Sequence, residues 1–178
     1  MEKKNKSILI TGVSGTGKSA IYKELVKRGH KAFGLDEIED LFAMYHKDTH
    51  EKVTERIEWT IENAENHKWI CDINKLKKLM MDNSEDVVYY CGTGSNINDL
   101  IPLFDKVILL TATNDALRHR LTTRTNNDYA KSQEVQEWVF SWKDYWEDSV
   151  KEFNPIIVDA NKSLDSVVSD IISISEKN

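Results

Sequence analysis

Near the start of the chain, Gly12-Val13-Ser14-Gly15-Thr16-Gly17-Lys18-Ser19 fits the pattern G-x-x-x-x-G-K-[ST] at every specified position. No other stretch constrains the fold as strongly. A β-rich run, Ser7 to Thr11, leads into it, and residues 20–26 follow with helical apolar spacing up to Gly29. Strand, glycine turn and helix in that order make an anion cradle. Glycines let backbone N–H groups face an anion without a Cβ in the way, and the helix presents its positive N-terminus to the same point. The motif therefore predicts a phosphate site built from Gly12, Ser14, Gly15, Thr16, Gly17, Lys18, Ser19 and Ala20. Lys18 is expected to reach the β- and γ-phosphates of ATP, and the Ser19 hydroxyl to ligate Mg²⁺.

The rest of the chain repeats the strand-then-helix rhythm. Residues 31–35 read as a second strand ending at Asp36, and residues 37–45 carry a helical apolar pattern. Residues 51–66 read as another helix. Asp72 or Asn74 caps a helix through Met81. Val87-Val88-Tyr89-Tyr90-Cys91 and Lys106-Val107-Ile108-Leu109-Leu110 are near-continuous apolar runs, the pattern of strands buried on both faces. A helix over residues 115–123, a polar stretch, a long helix over 133–153, a fifth strand over 155–159 and a helix over 164–174 complete the reading. Such alternation implies right-handed crossovers, a mostly parallel sheet and helices on both faces.

At 178 residues and 40% hydrophobic content, the chain has enough apolar surface for one core, so residues 1–178 are read as one domain. A formal net charge of -6 argues against nonspecific nucleic-acid binding, which relies on a dense basic surface. The first residues show no secretory h-region, no segment is apolar enough for a membrane span, and Cys71 and Cys91 form no Cys-x-x-Cys pair. These features lead us to expect a cytoplasmic protein without a membrane partner.

With the cradle, Asp36 at the end of the second strand and the later Arg120-x-x-x-Arg124, the sequence resembles the nucleoside monophosphate kinase-like branch of P-loop proteins, which includes adenylate, shikimate and gluconate kinases. The segments 8–19, 104–110 and 120–131 are similar to small bacterial AAA-labelled ATPases described as kinases. The resemblance implies a three-layer α/β P-loop domain with a five-stranded parallel sheet in the order 2-3-1-4-5 and a small lid at about residues 125–132. It also implies an ATP- and Mg²⁺-dependent phosphotransferase acting on a small-molecule acceptor, with a nucleotide-driven switch or slow ATPase as the alternative. By analogy, Arg120 stacks on adenine and Arg124 contacts phosphate, though both also suit a solvated basic face.

Lys131, with Asn127 as a weaker candidate, is placed in the lid. Lys131 would neutralise charge there, or it is an ordinary loop lysine. Asp36 would orient or deprotonate an acceptor hydroxyl or hold a water on Mg²⁺, and it equally suits the N-cap of a helix starting near Glu37. The catalytic set is thus Lys18, Asp36, Arg124 and Lys131, and the metal set is Ser19 and Asp36. Residues 92–96, Gly-Thr-Gly-Ser-Asn, suit acceptor recognition or a plain turn. Residues 159–162 suit the adenine wall or a helix start. Trp138, Trp142 and Trp146 recur every four residues, a stripe that serves helix packing. His46 and His50 lack the glutamate of a zinc-protease motif.

Overall fold

The computed structural model describes residues 6–83, 85–125 and 128–177. In chain order the elements are β1 (Lys6–Thr11), α1 (Lys18–Lys27), β2 (Lys31–Gly34), β3 (Phe42–His46), α2 (Ile61–Asn66), β4 (His67–Cys71), α3 (Ile73–Met81) and β5 (Val87–Cys91). They continue with α4 (Ile97–Leu100), β6 (Lys106–Thr111), α5 (Asn114–Thr123), α6 (Gln133–Lys151), β7 (Ile156–Asp159) and α7 (Leu164–Glu176).

Ile8, Leu9 and Ile10 of β1 are all fully buried. Because strand side chains alternate between faces, β1 must be covered on both sides. It lies at the centre of a parallel sheet ordered β2-β5-β1-β6-β7. Numbered within the sheet alone, that order is 2-3-1-4-5. The chain-order labels differ only because β3 and β4 intervene. On one face Ile8 and Ile10 pack with Ile21 and Leu25 of α1 and Val168 and Ile171 of α7. On the other, Leu9 packs with Leu76 of α3, Tyr90 of β5 and Leu100 of α4. The parallel strands all deliver their C-terminal ends to one edge, where ligands of open α/β sheets bind.

Two expected helices are corrected. Residues 37–45 form a 3₁₀ turn at Leu35–Glu37 and then β3, which pairs antiparallel with β4 from Phe42↔Cys71 to His46↔His67. The apolar spacing of Ile38, Leu41, Phe42 and Tyr45 suits a helix, yet pairing with β4 satisfies the backbone as a strand. Asp40 also takes a left-handed φ of 57°, which interrupts any helix there. Of residues 51–66 only Ile61–Asn66 is helical. The stretch before it runs along β3, where His46 N–H donates to the Glu51 carbonyl at 2.9 Å and Val53 N–H to the Met44 carbonyl at 2.8 Å. Thr60 then starts α2 by accepting from Asn63 N–H at 3.2 Å.

Candidate active site

The cradle joins β1 to α1. Gly17 caps α1 at a φ of 98° and Gly15 sits at 92°, both left-handed values that favour glycine. Gly12 is held by crowding: a Cβ there would lie 2.8 Å from the Leu110 carbonyl and 2.7 Å from Thr16 Oγ1. Thr16 Oγ1 in turn donates to the Val13 carbonyl at 2.9 Å and braces the loop. Lys18, only 9% exposed, folds over the loop and donates through Nζ to the carbonyls of Gly12 at 2.6 Å and Val13 at 3.1 Å. Burial lowers its pKa to about 8, while the Asp36 carboxylate pulls the other way and Arg124 adds to the lowering. Ser19 and Ala20 lie exposed in the first turn of α1.

α5 carries both arginines of the expected pair to this loop, through Leu117 and Leu121, which are fully buried. Arg120 bridges the loop and the end of β7. Its Nη2 donates to the Ala160 carbonyl at 2.7 Å and its Nη1 reaches the Gly15 carbonyl at 3.4 Å. A cleft of about 200 Å³ beside it is lined by Thr16, Gly17, Ala20, Arg120, Ala160 and Leu164. Arg124 donates through Nη1 to Ser14 Oγ at 3.1 Å and through Nη2 to the Tyr129 carbonyl. Its Nε–H is buried and has no hydrogen-bond partner among the described residues. A donor left over beside an anion cradle fits a phosphate oxygen.

Asp36 lies in the turn after β2. The turn is fastened to α1 by the Tyr22 hydroxyl, which donates to Glu37, and burial with that bond pushes the Tyr22 phenol up to about 12. Asp36 starts no α-helix, so its expected alternative role as an N-cap is corrected. Its Oδ1 accepts from Trp69 Nε1–H at 3.1 Å, and Oδ2 takes no hydrogen bond among the described residues. Trp69 is held flat on Phe42, with ring centroids 5.4 Å apart and planes 13° from parallel.

Residues 92–96 clamp the hairpin that carries this tryptophan. The Asn96 amide accepts from Cys71 N–H and donates to the Cys71 carbonyl, both at 3.0 Å, in the manner of a neighbouring strand. Ser95 Oγ accepts from Trp69 N–H at 3.1 Å. These two side chains are therefore committed to β4. Residues 92–96, expected in acceptor recognition or a plain turn, thus brace the hairpin through Ser95 and Asn96, and the Trp69–Asp36 contact is what sequence reasoning missed. Trp69 and Asp36 lie 33 positions apart in the chain, Trp69 and Ser95 26, and Cys71 and Asn96 25, so no local spacing signals these contacts.

Lys131 pairs with Asp128 at 2.8 Å, three residues before it. Asn127 lies outside the described residues. The tryptophan stripe of α6 packs inward: Trp138 and Trp142 meet edge to face at 5.5 Å, and Trp146 lies against the sheet cores. Asp159 accepts from Asn161, whose amide oxygen takes the Thr113 N–H at 3.1 Å, so the loop after β7 is tied to the start of α5. Among the described residues no group of three or more His, Cys, Asp or Glu is placed to hold a metal ion. Ser19 and Asp36 suit an ion carried mainly by nucleotide phosphates and water, as Mg²⁺ usually is.

The family model described as an AAA domain matches residues 8–141, more than half the chain. No curated protein sequence matches. Among solved structures, a gluconokinase from Sinorhizobium meliloti 1021 is 20% identical with a TM-score of 0.56, covering 96% of this chain and 91% of that one. A deoxyadenosine kinase from M. mycoides with dCMP and dCDP bound is 19% identical with a TM-score of 0.54, covering 94% and 97%. A shikimate kinase from Bacteroides thetaiotaomicron is 16% identical with a TM-score of 0.55, covering 97% and 99%. At these identities the likeness establishes the fold, a P-loop kinase fold.

Proposed function

We propose, given that this chain belongs to the AAA-domain family of P-loop proteins, that it is an ATP-dependent kinase acting on a small hydroxylated metabolite, nucleoside or nucleotide. The observation that carries this reading is that two differently equipped groups of residues follow strand ends at the same edge of the parallel sheet. Lys18 and Arg124 lie at the cradle, and a carboxylate with one anchored oxygen lies close enough to Lys18 to act on its charge. Fold neighbours that phosphorylate gluconate, deoxyadenosine and shikimate, as their names state, support an acceptor of that size.

In this reading the cradle N–H groups and Lys18 hold the triphosphate, Arg120 lines the base cleft, and Arg124 meets charge on the transferred phosphoryl group. Ser19 and Asp36 would hold Mg²⁺, which neutralises phosphate charge when bound. Asp36 Oδ2 takes the acceptor hydroxyl and aligns it, and receives its proton as the acceptor O–P bond forms and the bond from the γ-phosphorus to the bridging oxygen breaks, releasing ADP. Trp69 fixes the carboxylate by occupying Oδ1. Lys131 and its neighbours close over the phosphates and exclude water. The protein works as one domain and in the cytoplasm; both of its cysteines are buried and free.

The test is ADP release from Mg·ATP across nucleosides, nucleoside monophosphates, sugars and sugar acids, with a no-acceptor control. Stimulation by one class, with phosphate found on that compound, is the expected result. Nucleotide binding with no class above the control would replace the kinase with a slow ATPase or switch.

A further inference from the structure

Arg124 is aimed at the cradle by a carbonyl, and that carbonyl is held by residues from the other side of the cleft. Arg124 is the C-cap of α5, with extended backbone, and a free arginine there would sample many rotamers. The Tyr129 carbonyl accepts from its Nη2 and removes that freedom. What keeps the carbonyl in place is a third small core, separate from the two on the sheet. Ala130, fully buried at a left-handed φ of 56°, packs there with Leu121, Val135, Val139 and Ala64.

The Tyr129 ring meets Trp59 edge to face at 4.8 Å. Trp59 and Ala64 belong to the segment between β3 and β4, and α2 runs without a break into β4, which carries Trp69 to Asp36. Two of the five buried residues in this core are alanines. The aromatic side chains packed around it, Tyr129, Trp138, Phe140 and Trp142, are only partly buried, so ligands on either side can tip its packing.

We propose that Trp59 and Tyr129 are positioning residues for Arg124, so that the acceptor-side hairpin and the nucleotide's terminal phosphate are coupled through this core. The inference rests on the kinase reading, because it takes Arg124 as a ligand of that phosphate. The coupling is reciprocal: what tightens the core from the Trp69 side favours the triphosphate, and the triphosphate favours the acceptor-competent hairpin.

The experiment is calorimetric binding of AMPPNP and of ADP, each with Mg²⁺, to wild type, Trp59→Ala and Trp59→Phe, with melting curves for all three. Trp59→Ala is expected to bind AMPPNP about tenfold more weakly, the scale of one charge-assisted hydrogen bond. ADP affinity should stay within about twofold, since the terminal phosphate is what Arg124 reads. Trp59→Phe should restore AMPPNP binding. An equal loss for both nucleotides, or none for either, would overturn the inference and leave the kinase reading standing. Failure of wild type to bind either nucleotide would overturn the nucleotide site itself and the inference with it. If Trp59→Ala shows no folded transition, Trp59→Leu, which keeps bulk without an aromatic edge, carries the same comparison.

Discussion

In the proposed kinase, the phosphate side of the cleft and its acceptor side are built on opposite plans. The cradle is one continuous run, Gly12 to Ser19, whose geometry follows from three glycines and the start of a helix. The acceptor side is assembled from the turn after β2, the β3–β4 hairpin and the loop after β5, joined by the Trp69–Asp36 and Asn96–Cys71 bonds. A phosphate group is the same in every nucleotide, so a local motif serves it. Acceptors differ in shape, and side chains on separate segments can change without disturbing the sheet.

Substitutions should separate the two sides. Lys18→Ala should have the largest effect, cutting kcat/KM for ATP by about 10³-fold or more, because it removes a buried cation from the phosphates. Near-normal turnover would show that the cradle is not the reaction site. Arg124→Ala should lower kcat by about 10³-fold if it stabilises the transferred group in the manner of an arginine finger. An unchanged kcat with a raised KM would reduce it to a ground-state ligand.

Acidity probes the same side. The fold lowers Lys18 to about 8 from 10.5, so between those values the unfolded chain holds more protons. This lysine's contribution to stability therefore rises with pH across that window. Nucleotide affinity should move the other way, because only the ammonium pairs with phosphate. It should fall by up to about tenfold per unit above pH 8. Calorimetry at about pH 7 and about pH 9 in two buffers would show proton uptake at the higher value, and a flat profile would remove Lys18 from the phosphate contacts.

On the acceptor side the effects should be smaller and selective. Trp69→Phe keeps a ring on Phe42 and loses the N–H to Asp36. It should lower acceptor-dependent kcat by about tenfold, the scale of a hydrogen bond to a charged group, with ADP affinity unchanged. Asn96→Ala strips both backbone groups of Cys71 of a partner and should cost about 2 kcal/mol in urea denaturation. It should raise the acceptor KM while ADP affinity holds and triphosphate affinity falls by less than the acceptor's, and a loss on the nucleotide side alone would contradict the division of labour.

The legibility of the sequence follows the same division. β1, β5 and β6 could be read because a strand buried on both faces must be apolar throughout, whatever its partners. The arginine pair could be read because positions four apart share a helix face. The hairpin was hidden because Ile38, Leu41, Phe42 and Tyr45 have helical spacing, and only pairing with the distant β4, from Phe42↔Cys71 to His46↔His67, turns residues 42–46 into a strand. Trp59 and Trp69 carried no local pattern that would assign them to either side.

By itself, then, the sequence determined the sheet, its order once the family resemblance was added, and the phosphate cradle with its lysine. These depend on short-range rules: backbone freedom at glycine, alternation along a strand and periodicity along a helix. Tertiary structure alone decided which oxygen of Asp36 is left free, what holds Trp69 beside it and what aims Arg124 at the cradle. Each of those is a contact between distant segments, and its geometry exists only after the sheet has brought their ends to a common edge.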